Sequence, residues 1–138
     1  MIDVENELFG EISEKVYEKF AEKYPDLFMT SEYVISPASF PCVSLIEMDN
    51  AVLRATQTTE GRENHATVMY ELNVYSNKKD GKKNECKEIV AYIDELLMSY
   101  NFTRIMLEPI PNQNEANIYR MLGRYRAVIS KNKTIFRR

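Results

Sequence analysis

Tryptophan is absent from this 138-residue chain, histidine occurs once and cysteine twice. One histidine, His65, and two widely separated cysteines, Cys42 and Cys86, cannot supply the usual four-ligand zinc set. Any Ser-His-Asp or Cys-His arrangement would also have to use His65, which stands where a polar stretch enters an alternating apolar segment. Its plainer reading is a strand-edge histidine. Glycine is scarce and scattered (Gly10, Gly61, Gly81, Gly123), so no glycine-rich loop is present to cradle a phosphate. Fully apolar runs extend for only a few residues, too short to span a bilayer. The acidic start MIDVENELFGEISEK lacks the pattern of a secretion signal, and two isolated cysteines fit a reducing compartment.

With 44% apolar and 28% charged residues, the composition is that of a globular protein. One domain over residues 1–138 is expected from the length. The net charge of −3 conceals an asymmetry: residues 1–69 carry 5 bases against 13 acids, and residues 70–138 carry 13 against 8. From Tyr119 onward the chain holds Arg120, Arg124, Arg126, Lys131, Lys133, Arg137 and Arg138 and no acid. Such a strip can meet an acidic neighbouring subunit or a phosphate backbone, or simply keep an edge strand in solution. An overall acidic chain is unusual for a nucleic-acid domain, which favours subunit contact between the first two.

Leu8, Phe9, Ile12, Val16, Phe20 and Tyr24 recur at three- and four-residue steps, predicting an amphipathic helix over 3–24 with Asp3 as cap and Pro25 as stop. Short strands are predicted over Tyr33–Ile35 and Cys42–Met48, separated by a bend at Pro37 and Pro41. A polar arm follows over about 49–64. Ala66 to Tyr75 alternates apolar and polar and reads as a central strand. A charged turn at Asp80-Gly81 leads into a second helix over 85–100, with Asn101 as a left-handed cap. A strand FTRIML ends at Pro109 and Pro111, and a last strand covers Ile118–Ser130, where Gly123 marks a bulge or a close approach. The resulting expectation is an α+β fold with order α-β-β-β-α-β-β: two helices on one face of a mostly antiparallel, mixed sheet.

Two constellations invite chemistry. Glu47 and Asp49, two apart on a strand and thus sharing a face, with Glu71 across from them, would offer oxygen ligands to Mg²⁺. Tyr119 and Tyr125 among arginines would offer base-stacking platforms. Each has a simpler explanation, a solvated acidic face for the first and core packing for most of the nine tyrosines. No catalytic, cofactor or metal residue is assigned, and the chain is read as a non-enzyme.

In order along the chain stand an acidic helix ending in YPDLF (Tyr24–Phe28), then SFPCVSLIEMDN (Ser39–Asn50), then a polar arm. HATVMYELNVYSNKKDGKKNE (His65–Glu85) and an Ile-Tyr-Arg…Arg-Tyr-Arg strand (Ile118–Arg126) complete the series. Together these segments resemble the tail terminators, the tail-completion proteins of long-tailed phages and phage-tail-like particles, over nearly the whole length. The resemblance implies helices against a sheet, a homohexameric ring capping the tail tube, and a docking face for a head-tail connector or stopper. It places the protein in the virion neck after assembly in the host cytoplasm. Tail tube protein, possible sheath protein and DNA passing through unread are the implied partners. Candidate contact residues are Arg54, Arg62, Arg120, Arg124, Arg126, Arg137 and Arg138. A head-side connector or stopper, and a small nucleic-acid-binding domain using the basic C-terminal strip, are the alternatives.

Overall fold

A computed structural model describes residues 1–34, 37–52, 65–110 and 117–130. Helix α1 spans Glu5–Phe20 and buries Leu8, Ile12, Val16 and Phe20, a four-residue repeat that lays one stripe on the core. Ile2 and Val4 are buried ahead of it, and the Asp3 carboxylate accepts the Glu5 N–H at 3.0 Å. One further backbone bond, Tyr24 N–H to Phe20 C=O at 2.8 Å, extends the turn up to Pro25.

Strand β1 is Phe28–Thr30 and β2 is Cys42–Val52; β3 is His65–Ser76. Helix α2 is Lys82–Ser99, followed by β4 (Thr103–Ile110) and β5 (Tyr119–Ser130). The sheet order is β1-β2-β3-β5-β4, with β1 parallel to β2 and every other pair antiparallel. This is the expected α+β order, with β3 at the centre.

One core joins Leu8, Ile12, Val16 and Phe20 of α1 to Ile89, Ile93 and Leu97 of α2 and to Ala66, Val68, Tyr70, Leu72 and Val74 of β3. Both helices therefore pack on the sheet face that carries the even-numbered β3 residues. Tyr70 meets Phe102 edge-on at 5.6 Å, and Phe20 meets Tyr92 likewise at 5.6 Å. α2 ends as its sequence predicts: Asn101 adopts φ 69°, Asn101 N–H bonds Met98 C=O at 3.0 Å and Phe102 N–H bonds Leu97 C=O at 3.0 Å. That pair of bonds satisfies the last carbonyls and turns Phe102 into the core.

Several expectations are corrected. The first strand is Phe28–Thr30, not Tyr33–Ile35; Tyr33 is largely exposed and Ile35 lies outside the described residues. Met29 is buried there, and its N–H is taken by the Tyr17 hydroxyl at 2.8 Å, so α1 holds β1 in place. β4 runs through Pro109 to Ile110, which an edge strand allows because its outer side needs no N–H partner. β5 lies between β3 and β4, so the arginine strip does not belong to an edge strand. Asp49–Val52 continue β2; the rest of the polar arm, 53–64, is outside the described residues. Gly123 answers to close approach: a Cβ there would lie 3.1 Å from Tyr125 Cε2 and 3.3 Å from Leu107 Cδ1.

Candidate interface on the helix-free sheet face

Strand alternation sends Met121, Tyr125, Ala127 and Ile129 of β5 into the helix-covered core, and therefore sends Arg120, Leu122, Arg124, Arg126 and Val128 to the opposite face. Across the ladder, Tyr75 stands opposite Arg120, Asn73 opposite Leu122, Glu71 opposite Arg124 and Met69 opposite Arg126. On the other flank, Met106 of β4 pairs with Arg124. The face thus mixes arginines with methionines and branched aliphatic residues.

Its centre is a polar network. Glu71 and Asn73 are buried. Asn73 Nδ2 donates to Glu71 Oε1 at 2.9 Å, and Arg120 Nε donates to Asn73 Oδ1 at 2.9 Å. Glu71 also ion-pairs with Arg124 (Nε to Oε2, 3.6 Å) and, at 4.0 Å, with Arg120. The Arg120 guanidinium sits 5.4 Å above the Tyr75 ring, which orients it further. One carboxylate therefore lies between two arginines and offsets part of their charge, while the hydrogen bond to Arg120 comes from Asn73. Arg126 is exposed beyond it.

Of the seven candidate residues, the structure brings Arg120, Arg124 and Arg126 onto one strand face. Arg54, Arg62, Arg137 and Arg138 lie outside the described residues. Sequence reading missed Glu71 and Asn73 as the groups that hold the arginines. The signal available was their shared parity on the alternating strand, without the register that sets them against β5.

The carboxylate constellation does not assemble. The register slips between Glu47 and Asp49, so Glu47 pairs with Tyr70, a core residue, while Asp49 pairs with Met69 on the other face. Glu47 Oε1 accepts the Tyr70 hydroxyl at 3.5 Å, and its carboxyl is pushed up to about 6, first by burial and then by Glu5 and Asp3. Asp49 and Glu71 share a face; Glu47 does not join them. Among the described residues no group of three or more His, Cys, Asp or Glu is placed to hold a metal ion.

Tyr125 is no stacking platform either: it is fully buried, and its hydroxyl donates to Asp94 at 2.7 Å, where Arg104 also pairs with that carboxylate at 3.1 Å. Tyr119 is partly buried against the core. His65 opens β3 opposite Ser130. Both cysteines are buried; burial pushes the Cys42 thiol up to about 11 and, with Glu85 adding, the Cys86 thiol up to about 12. A groove of about 430 Å³ between α2 and β4 is floored by Val90, Leu107 and Met121 and rimmed by Lys87, Asp94, Glu95 and Arg104. Among the described residues no helix is long and apolar enough to cross a membrane.

No family model matches the chain, and no curated protein matches it either.

Proposed function

We propose that this chain is a structural subunit of the tail-terminator kind: it forms a ring that caps the tail tube of a phage or phage-tail-like particle. The ring ends tube polymerisation and offers the head-side connector or stopper a docking face. The helix-free sheet face carries this reading. It presents Arg124 and Arg126 between the half-buried Met69, Met106 and Val128, with Glu71 ion-paired to Arg124. Arginine and methionine around an apolar patch are what protein interfaces enrich, and a buried carboxylate beside Arg124 lowers the entropy that this side chain loses on docking. The helices lie wholly on the other face, in keeping with the family's description as helices against a sheet. Glu71 neutralises part of the strip's charge, which weighs against a phosphate backbone as its main partner.

The test is mass in solution by light scattering behind a sizing column, for the protein alone and with tail-tube protein. A ring, or a monomer that becomes a ring when tubes are added, is the expected result. A monomer indifferent to tubes at every concentration refutes the proposal.

A further inference from the structure

Strand β4 ends the sheet, and no described strand pairs with its outer side. Pro109 has no N–H and still keeps its place in the ladder, so it belongs to the β4 residues whose backbone groups face away from β5. Leu107, two residues back, shares that parity and offers an N–H and a C=O outward. Its side chain packs against the helix-side core and, with Val90 and Met121, floors the groove of about 430 Å³ between α2 and β4. The register slip between Arg104 and Met106 leaves Ile105 without a partner on β5 and 50% exposed. A proline and a bulge blunt an edge against continued sheet growth. The stretch between them is open to a short extended segment rather than to a full strand of another copy.

The charges on the groove's rim define what such a segment carries. Arg104 pairs with Asp94 at 3.1 Å and the Tyr125 hydroxyl donates to the same carboxylate, so these two charges offset each other. That bridge sets the end of α2 beside the start of β4, and the two elements run antiparallel. Lys87 and Glu95 remain: both are exposed, and neither has an ion pair among the described residues. Eight residues of helix separate them by about 12 Å. Ala91, four residues from each, leaves only a methyl group at the middle of the rim. In an extended chain, residues i and i+4 stand on one side about 13 Å apart. An acid at i, an aliphatic residue at i+2 and a base at i+4 therefore match Lys87, the gap over Ala91 and Leu107, and Glu95 in turn. Leu107 exchanges both its backbone bonds with one residue only in an antiparallel pair, and that direction puts the acid first. No five-residue stretch of this chain has this pattern, which points away from a second copy as the occupant.

We infer that the β4 edge and the groove beside α2 form a docking site for a short extended segment of another protein, added antiparallel to β4. Its acid faces Lys87, its aliphatic side chain enters between α2 and β4, and its base faces Glu95. The site lies on the helix-covered side of the sheet, apart from the arginine-bearing face, and does not rest on the ring reading.

The probe is a dye-labelled peptide, Thr-Thr-Glu-Thr-Val-Thr-Lys-Thr-Thr, titrated with the full chain and followed by fluorescence anisotropy. Saturable binding is expected below about 1 mM, the weak end of specific affinity. Exchanging the Glu and Lys of the peptide should weaken binding at least tenfold. Lys87→Glu with Glu95→Lys should invert that preference, a result that loss of folding cannot mimic. Ala91→Phe, at an exposed helix position, fills the groove and should weaken binding at least tenfold, with far-UV circular dichroism as the check on folding. N-methylation of the peptide's Val, whose amide faces Leu107, should abolish binding, whereas N-methylation of the Thr after it should change affinity less than threefold. No saturable binding up to about 1 mM overturns the inference. Equal binding of the two peptides by wild type, or a preference that the paired reversal does not invert, overturns it as well. So does binding indifferent to Ala91→Phe or to methylation of the Val. Self-association of the chain that Ala91→Phe abolishes gives the groove to a second copy and likewise overturns the inference. A peptide that fails to bind leaves the ring reading untouched, since that reading is tested by mass in the presence of tubes.

Discussion

Glu71→Ala tests the arginine-bearing face most directly. The substitution takes the acceptor from Asn73 Nδ2, which now bonds Glu71 at 2.9 Å inside a residue only 1% exposed. A buried donor left unpaired costs about 1–3 kcal/mol. Arg120 and Arg124 lose their carboxylate too, but their side chains are 29% and 41% exposed, so water replaces much of it. Pairs of that exposure contribute about 0–1 kcal/mol. The expected loss is about 2 kcal/mol, a sizeable part of the 5–15 kcal/mol typical of a domain. Glu71→Gln keeps an oxygen for Asn73 and should cost about 1 kcal/mol or less, since it removes only the charge. With no tryptophan in the chain, urea unfolding followed by far-UV circular dichroism is the assay. A double-mutant cycle with Arg124→Ala should show coupling of about 0.5–1 kcal/mol. If Glu71→Ala stays within about 0.5 kcal/mol of wild type, the network is solvated and does not orient the arginines. If Gln costs as much as Ala, charge rather than the hydrogen bond to Asn73 is what Glu71 supplies.

Glu47 is held up to about 6 in the fold against an ordinary 4.5, so the folded state binds its proton more tightly than the unfolded chain does. Its contribution therefore falls as pH rises from about 4.5 to about 6, and Glu47→Gln should raise stability at pH 7.5 by up to about 1 kcal/mol after allowance for partial exposure. That gain should vanish at pH 4 in paired thermal melts; an equal gain at both pH values refutes the assignment. Gly123→Ala places a methyl 3.1 Å from the buried Tyr125 ring and 3.3 Å from Leu107. The overpacking should cost about 1–3 kcal/mol in urea unfolding, and a neutral result would mean that edge strand β4 moves aside freely. The thiols of Cys42 and Cys86, buried and raised to about 11 and about 12, should resist iodoacetamide at pH 8 in the native protein and react fully in urea. Native alkylation at the rate of an exposed thiol would contradict that burial.

The main elements were legible because their periodicities are plain. Leu8, Phe9, Ile12, Val16 and Phe20 share a face on a helix, whereas a strand would send Phe9 to the other side, and Ala66, Val68, Tyr70, Leu72 and Val74 share one on a strand. Asn101 announced the end of α2 because a left-handed residue after a helix favours Gly or Asn. β1 was not legible. Three residues are too few for a period, and Phe28–Thr30 becomes a strand through its parallel pairing with Cys42–Ser44 and the Tyr17 hydroxyl on Met29, both non-local.

The site was less legible because it depends on register. Counting by two from Glu47 puts Asp49 on its face, but one extra residue at Met48 reverses the parity, and neither glycine nor proline marks the place. Parity did put Arg120, Arg124 and Arg126 together. Nothing in the local sequence set Glu71 opposite Arg124, because that pairing is fixed by how β3 and β5 align over twelve residues. The consequence is electrostatic. A charge count along the chain treats every arginine of the strip as outward-acting, whereas one buried carboxylate engages two of the three described. Among the described arginines of the strip, the one whose charge no carboxylate engages is therefore Arg126, exposed beyond the network.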